Sequence, residues 1–388
     1  MARPGRPGAS GDPRCPWLVL AAAPGVGPKT LERLAARFGG APEIVAAGAA
    51  ALAESGLSAA ACEAIVHPDR AALAAALAWA DGEGAHLLTR EDPGYPPQLA
   101  EIPDAPLVLY VRGDLAVLGD PQLAIVGSRT PTPQGLEATR EFAAALAARG
   151  LTITSGLAAG VDGAAHEGAL AAGRTIAVLG TGPDRVYPAV HRELAHRIAA
   201  NGALVSEYPP GVGPRPAHFP RRNRLIAGLS LGTLVTEAAE RSGSLITARL
   251  AAEQGREVFA VPGSIRNPRA RGCHLLIRQG AKLVETADDI LVELAPLLRG
   301  ILASASSAIA AGPESEPADE LDEDYRQLLE CMGYDPVAPD ELIARSGLPA
   351  ASVSSMLLLL ELQGYVSSCP GGRYCRDTGR AVAPAQDS

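Results

Sequence analysis

Seven short runs rich in β-branched residues, spaced by alanine-rich segments of helix length, fill the sequence from Leu87 to about Leu298. They are LAIVGS (Leu123–Ser128), TITSG, TIAVLGTG, ALVSEYP, GTLVTEA, EVFAVPG and AKLV. Short apolar runs alternating with helices fit strands covered on both faces, so the pattern predicts a parallel, doubly wound α/β sheet. In such sheets ligands bind outside the carboxyl ends of the strands. Nearly every run here ends there in Gly, Ser or Thr.

A chain of 388 residues is long for one core, and the segments flanking the sheet have different rhythms. Trp17 to about Gly84 is alanine-rich with leucines at helical spacing, which predicts four or five short helices. It contains PGVGPKT (Pro24–Thr30), a Gly-x-Gly turn of the kind that offers backbone N–H groups to phosphate in helix-hairpin-helix modules and that also serves plain helix bundles. Ile301 to Asp322 runs from Ser/Ala into Pro and acids and reads as a linker. From Tyr325 to Arg376, a helix, two shorter ones, a longer apolar one and two strands flanking Pro-Gly-Gly predict a winged helix. Its charges are mixed, Asp335, Asp340, Glu341 and Glu361 against Arg345, Arg373 and Arg376, so a protein-contact or structural role fits at least as well as groove reading. The expected order is a disordered tail (1–14), a helical domain (15–86), the α/β domain (87–300), the linker (301–322) and the winged helix (323–380).

The formal net charge is −9, yet Arg215 to Lys282 holds eleven Arg and one Lys against four Glu, a local +8. Ala41 to Glu101 and Pro313 to Glu330 carry the acidic balance. This is the charge pattern of a localised anion-binding surface. Lys29 and Lys282 are the only lysines, so phosphate contacts must run through guanidinium groups, whose fork suits them. Six cysteines without a CxxC pair suggest neither a disulfide framework nor a zinc site and fit a cytoplasmic protein. No apolar run has the length of a membrane span or the form of a signal peptide.

Four strand-end motifs and one helix start carry the chemistry. In IVGSRTPTPQG, a strand ends in Gly127-Ser128-Arg129 and a helix beginning near Pro133 aims its N-terminus at the same spot, a convergence suited to phosphate or, more plainly, a turn with a surface arginine. In SGLAAGVDGAAHEGAL, Gly156 and Gly160 permit a tight turn, and Asp162 reads as an N-cap with His166 at i+4. An acid/base pair is conceivable there, and a capping carboxylate beside a packed or surface histidine is the simpler reading. VLGTGPDRVYP holds Gly180-Thr181-Gly182 but lacks the third glycine of a dinucleotide fingerprint, and no phosphate-loop ATPase motif occurs. HFPRRNRLIAGLS places Arg221, Arg222, Asn223 and Arg224 at a helix start, where one of the arginines has the alternative of facing the core or a partner. GTLVTEAAERSGSLITA opens a helix at Ser242-Gly243-Ser244, a further small-residue cradle.

In this order the motifs resemble the DNA-processing protein A family (DprA, also called Smf), over roughly Leu18 to Arg376. The most specific stretches are LLTREDPGYPPQL, VGSRTPTPQG, SGLAAGVDGAAHEGAL, GTGPDRVYP, HFPRRNRLIAGLS, TEAAERSGSLITA and VFAVPGS. The resemblance implies an extended Rossmann-like sheet with an N-terminal helical domain similar to a sterile-alpha-motif fold and a C-terminal winged helix. It implies a protein that is not an enzyme, needs no cofactor or metal, binds single-stranded DNA entering during natural transformation, dimerises and loads the recombinase RecA. DNA contacts would fall on Ser128, Arg129, Arg221, Arg222, Asn223 and Arg224, with Gly127, Gly156, the Gly180-Thr181-Gly182 turn and Ser242-Gly243-Ser244 as the pocket wall. The chain departs from the family at Ala189, where a lysine is frequent, and at Gly272-Cys273-His274, where Gly-Thr-Asn is usual. Arg185 or Arg192 is the candidate substitute for the missing lysine.

With 14 aromatic residues, stacking on many bases is not expected, although Phe219 and Tyr187 are placed to offer one ring each. Two rival readings remain. GLSLGTLVTE loosely resembles the glutamate-bearing site of nucleoside-monophosphate phosphoribohydrolases, with Glu237 retained, and the winged helix would suit a duplex-DNA regulator.

Overall fold

The computed structural model describes residues 11–310, 323–332 and 337–349, then positions 353, 356, 357, 360, 361, 365–369 and 373–376. The chain divides into two compact units, Met1–Ala295 and Pro296–Ser388. Residues 1–10 of the expected tail and 311–322 of the expected linker lie outside the described residues.

The first unit opens with six helices, one more than the upper expectation: α1 (Cys15–Ala22), α2 (Pro28–Phe38), α3 (Ala41–Ala46), α4 (Ala49–Glu54), α5 (Ala59–Val66) and α6 (Arg70–Ala80). Proline in the first turn of α1, α2 and α3, and side-chain caps from Ser58 to α5 and Asp69 to α6, set the starts of these helices. Leu20, Leu34, Ile44, Leu52 and Ile65 are buried in their common core. That core also contains Leu87, Leu107, Val108 and Tyr110, and Trp79 meets Tyr110 edge-on at 5.8 Å between ring centroids. The helices therefore share a core with the sheet.

Strands β1 (Ala85–Thr89) and β2 (Val108–Gly113), separated by a one-turn helix α7 (Pro97–Ala100), explain this. They pair antiparallel with each other and with the sheet, an extension absent from the seven-run reading. HLLT and VLYV sit beside a turn-rich stretch of Asp, Pro and Gly, so nothing local distinguishes them from loop. Their apolar faces become legible only once the helices are known to cover them.

The seven expected runs form β3 (Gln122–Val126), β4 (Thr152–Ser155), β5 (Thr175–Val178), β6 (Ala203–Ser206), β7 (Gly232–Val235), β8 (Glu257–Ala260) and β9 (Lys282–Leu283), all parallel. The sheet order is β1-β2-β6-β5-β4-β3-β7-β8-β9. Between the strands run α8 (Pro133–Ala148), α9 (Val161–Leu170), α10 (Arg192–Asn201), α11 (His218–Leu229), α12 (Ser244–Glu253) and α13 (Arg271–Arg278). Helices α8, α9 and α10 pack together on one face, and α11 and α12 on the other. Side-chain alternation serves both layers, with Ile176 and Val178 facing the α11 core and Ala177 and Leu179 the α10 core. The order reverses between β3 and β7, the switch point at which a doubly wound fold opens its ligand crevice.

Helix α14 (Ala287–Ala310) continues through Ile301–Ala310, where a linker was expected. ILASASSAIA has no glycine or proline to stop a helix. The second unit contains α15 (Glu323–Met332), α16 (Pro339–Ser346), further helical positions between 353 and 361, and the antiparallel pair β10 (Val366–Cys369) and β11 (Arg373–Arg376), the winged-helix arrangement. No helix among the described residues is long and apolar enough to cross a membrane.

Because the helices and β2 share one core, Leu34→Ala should lower the unfolding free energy of the first unit by about 2–5 kcal/mol. Urea denaturation followed by circular dichroism and by Trp79 fluorescence should shift together.

Candidate nucleic-acid interface

At the switch point the crevice is filled from within. Glu237, just beyond β7, is 4% exposed, and its Oε2 accepts from the Thr132 backbone N–H at 2.7 Å, while its Oε1 accepts from Asn267 Nδ2 at 3.0 Å. Its carbonyl accepts from the Ser128 N–H at 2.6 Å. The N-terminus of α8, capped by Thr132, thus already holds an anion, and that anion belongs to the chain. The expectation that this helix end waits for an external phosphate is corrected. Glu237, the residue on which the phosphoribohydrolase reading rested, thus holds two loops with its two oxygens. Gly127 and Ser128 are half-buried, and Arg129 projects into solvent without an ion pair among the described residues.

The second motif also differs from its expected form. The N-cap of α9 is Gly160, at φ +83, where a Cβ would strike the Ser128 carbonyl. Asp162 lies inside the first turn, 8% exposed, accepting from the Ala158 N–H at 3.2 Å. Burial pushes its carboxyl up against the opposing pull of Arg222. His166 does not pair with it. The Thr175 hydroxyl gives its proton to the Ile153 carbonyl, so His166 Nδ1 donates to that hydroxyl at 2.7 Å, and its buried Nε2 has no partner. Burial pulls the imidazole down to about 3, leaving a neutral packed histidine.

The basic helix start divides by depth. Arg222 is 3% exposed and donates from Nη1 to the carbonyls of Gly156 (2.6 Å) and Val178. A Cβ at Gly156 would collide with that guanidinium, so this glycine makes room for the arginine, not for DNA. Burial pulls Arg222 down to about 10, so it stays charged at neutral pH beneath the ends of β4 and β5. Arg224 is 5% exposed and forks onto Glu207 at 2.6 and 3.0 Å, with Asp104 at 2.7 Å. Neither can touch a phosphate. Arg221, 63% exposed along its side chain, is bonded to Glu207 at 3.0 Å, and Asn223 is half-buried with no side-chain hydrogen bond among the described residues.

The turn Gly180-Thr181-Gly182 is buried as well. Phe219, one residue into α11, lies on Gly180, whose added Cβ would meet the ring at 2.9 Å, and the Thr181 hydroxyl donates to the Arg185 carbonyl at 2.6 Å. What emerges above is a ring surface. Tyr187, 50% exposed, sits 5.4 Å from Phe219 between ring centroids, and the Arg129 guanidinium lies 6.0 Å from the Phe219 centroid. Ser242 and Ser244 share a hydrogen bond at 2.7 Å across the start of α12, and Ser242 and Gly243 line a pocket with Leu245, Arg249 and Leu275. Phe219 and Tyr187, each expected to offer one ring, prove to be neighbours, whereas the sequence reading missed the tie from Glu237 to Asn267 and the exposed Arg215 ahead of α11, which has no side-chain ion pair among the described residues. Arg266, Arg269 and Arg271, after β8, likewise carry no side-chain ion pair among the described residues. The local arginine excess is the signal the sequence carries for these side chains.

Residues 86–295 match the family described as DNA recombination-mediator protein A, and residues 312–372 match the DprA winged helix domain. The chain belongs to the DprA/Smf family. It is 43% identical to Protein Smf of Escherichia coli (strain K12) over 327 residues, covering 84% of this chain and 86% of that protein. It is 49% identical to the DNA processing protein DprA of Streptococcus pneumoniae (strain ATCC BAA-255 / R6) over 203 residues, 52% of this chain and 72% of that one. The X-ray structure of DprA from Streptococcus pneumoniae superposes with a TM-score of 0.62 at 38% identity, over 71% of this chain and 95% of that one. These relatives are named as DNA-processing proteins or as Smf, none as an enzyme. The DprA fold, with its mostly parallel sheet and winged helix, is therefore the fold of this chain.

Two outcomes follow from the buried groups. Arg222→Ala strands Asp162 and two carbonyls, and should cost about 3–5 kcal/mol of stability, whereas Arg129→Ala should leave the melting curve within about 0.5 kcal/mol of the parent. His166 is neutral when folded and takes a proton below about pH 6.5 when unfolded, so its stabilising contribution is present above that pH and is lost as pH falls toward about 3. The slope approaches about 1.4 kcal/mol per pH unit. His166→Gln should flatten it in urea titrations at pH 4 to 7.

Proposed function

We propose that this DprA-family protein binds single-stranded DNA over the carboxyl-end rim of its parallel sheet. The observation that carries the reading is the pairing of exposed Tyr187 with half-buried Phe219, with Arg129 set 6.0 Å from the Phe219 ring. Bare bases have faces to stack on such rings, and duplex bases do not. Arg129, Arg215 and Arg221, with Arg185 or Arg192 in place of the family lysine missing at Ala189, neutralise phosphates, and Ser128 and Asn223 offer hydrogen bonds. Arg222 contributes from below as a buried charge, and Arg224 by holding Arg221 and Glu207 in place. The glycines Gly127, Gly156, Gly180 and Gly182 support these side chains by close packing.

In the family's setting the protein is a cytoplasmic homodimer that shields an incoming strand and passes it to the recombinase RecA during transformation or recombination. The family's description as a recombination mediator supports this. The domain limits proposed are a helical segment to about residue 86, the α/β sheet to about 300 and the winged helix from about 323.

Mobility shifts over a salt series test the DNA reading. Single strands should bind more tightly than duplexes of equal length, with log affinity falling by about 0.7 per phosphate neutralised for each unit of log salt. Arg129→Ala should flatten that slope by about one phosphate, and Phe219→Ala should cost about 1–3 kcal/mol without changing it. Equal binding of duplex, or an unchanged single-strand affinity in both variants, would sink the proposal.

A further inference from the structure

Six cysteines without sequence pairing include two that the winged-helix unit brings together. In the antiparallel ladder Cys369 faces Arg373 and Ser367 faces Cys375, so Cys369 and Cys375 are diagonal neighbours on one face of the hairpin. The opposite face carries Val366 and Tyr374, which pack into the core of this unit, and Tyr374 also bridges to Val337. Strand alternation therefore turns the cysteine face away from that core. Both thiols are partly exposed, and their Sγ atoms lie 2.8 Å apart. The Ser367 carbonyl receives Cys375 at 3.6 Å and Cys369 at 3.9 Å. Sulfurs placed this closely on two paired strands need no change of register to bond.

Cys62 and Cys273 are buried, and burial pushes Cys273 up to about 11. Cys15 lies at the start of α1, in the first unit, and Cys331 packs against the core of the second.

We propose that Cys369 and Cys375 form a reversible dithiol/disulfide site on the wing, oxidised by a hydroperoxide. The sulfur of one thiol attacks a peroxide oxygen, the O–O bond breaks, the thiol's proton passes to the departing oxygen, and water departs from hydrogen peroxide to leave a sulfenic acid on that cysteine. The second thiol then attacks the same sulfur, the S–O bond breaks, and a second water departs as the S–S bond forms. For hydrogen peroxide the balance is two thiols and one peroxide giving one disulfide and two waters, with the sulfurs losing two electrons to the peroxide. An external dithiol reverses it by thiol exchange. The bond staples β10 to β11 and makes the wing sensitive to oxidants.

The sequence supplies a direct readout, because Arg373 is a tryptic site between the two cysteines. The intact chain is treated with hydrogen peroxide, its remaining thiols are blocked with N-ethylmaleimide, and it is digested without reductant. Peptide Ser346–Arg373 should appear joined to Tyr374–Arg376, lighter than their sum by two hydrogens and separable by dithiothreitol. The thiol count of the folded chain should fall from six to four. The proposal is overturned if both cysteines carry maleimide at peroxide doses that have consumed other thiols. It is equally overturned if Cys369 joins Cys331 instead, or if either cysteine is recovered only as a sulfinic or sulfonic acid.

Discussion

Everything at the functional edge of this protein depends on the carboxylate of Glu237. It sits at the point where the strand order reverses, the place a doubly wound sheet reserves for a ligand, and both its oxygens are engaged. A buried charge is tolerable only when hydrogen bonds satisfy it, and here a helix N-terminus and an asparagine do so. The result closes the usual phosphate crevice. It also fixes the loop carrying Ser128 and Arg129 against the loop carrying Asn267.

With that crevice shut, the open surface lies over β5 and the start of α11, where Arg222 performs a complementary role. Its guanidinium joins α11 to the ends of β4 and β5 through the carbonyls of Gly156 and Val178. Phe219, three residues earlier on the same helix, is thereby seated on Gly180 and beside Tyr187. Buried arginine sets the ring platform, and exposed arginine surrounds it. The two kinds look identical in the sequence HFPRRNR.

The sheet was legible because its strands are buried on both faces, and seven apolar runs announce themselves without any tertiary information. The strands β1 and β2 were not legible, since their apolar residues are matched to the helices that cover them. The cradle motifs do fall at strand ends and helix starts, and burial gives Gly156, Arg222 and Arg224 packing roles that local pattern does not show. Asp162 reads as a cap from spacing, yet Gly160 takes that position because the Ser128 carbonyl leaves no room for a side chain there. Ser242-Gly243-Ser244 begins a helix as expected, and Ser242 and Gly243 line a pocket with Leu245 and Leu275.

The sequence by itself determined the parallel sheet, the helical and winged flanks, the family, and the concentration of arginine along one stretch, because periodicity and charge are local quantities. Only the tertiary structure decided which arginines meet solvent. That choice depends on depth, and depth is set by partners far along the chain: Glu207 and Asp104 for Arg224, and the carbonyls of two strand ends for Arg222.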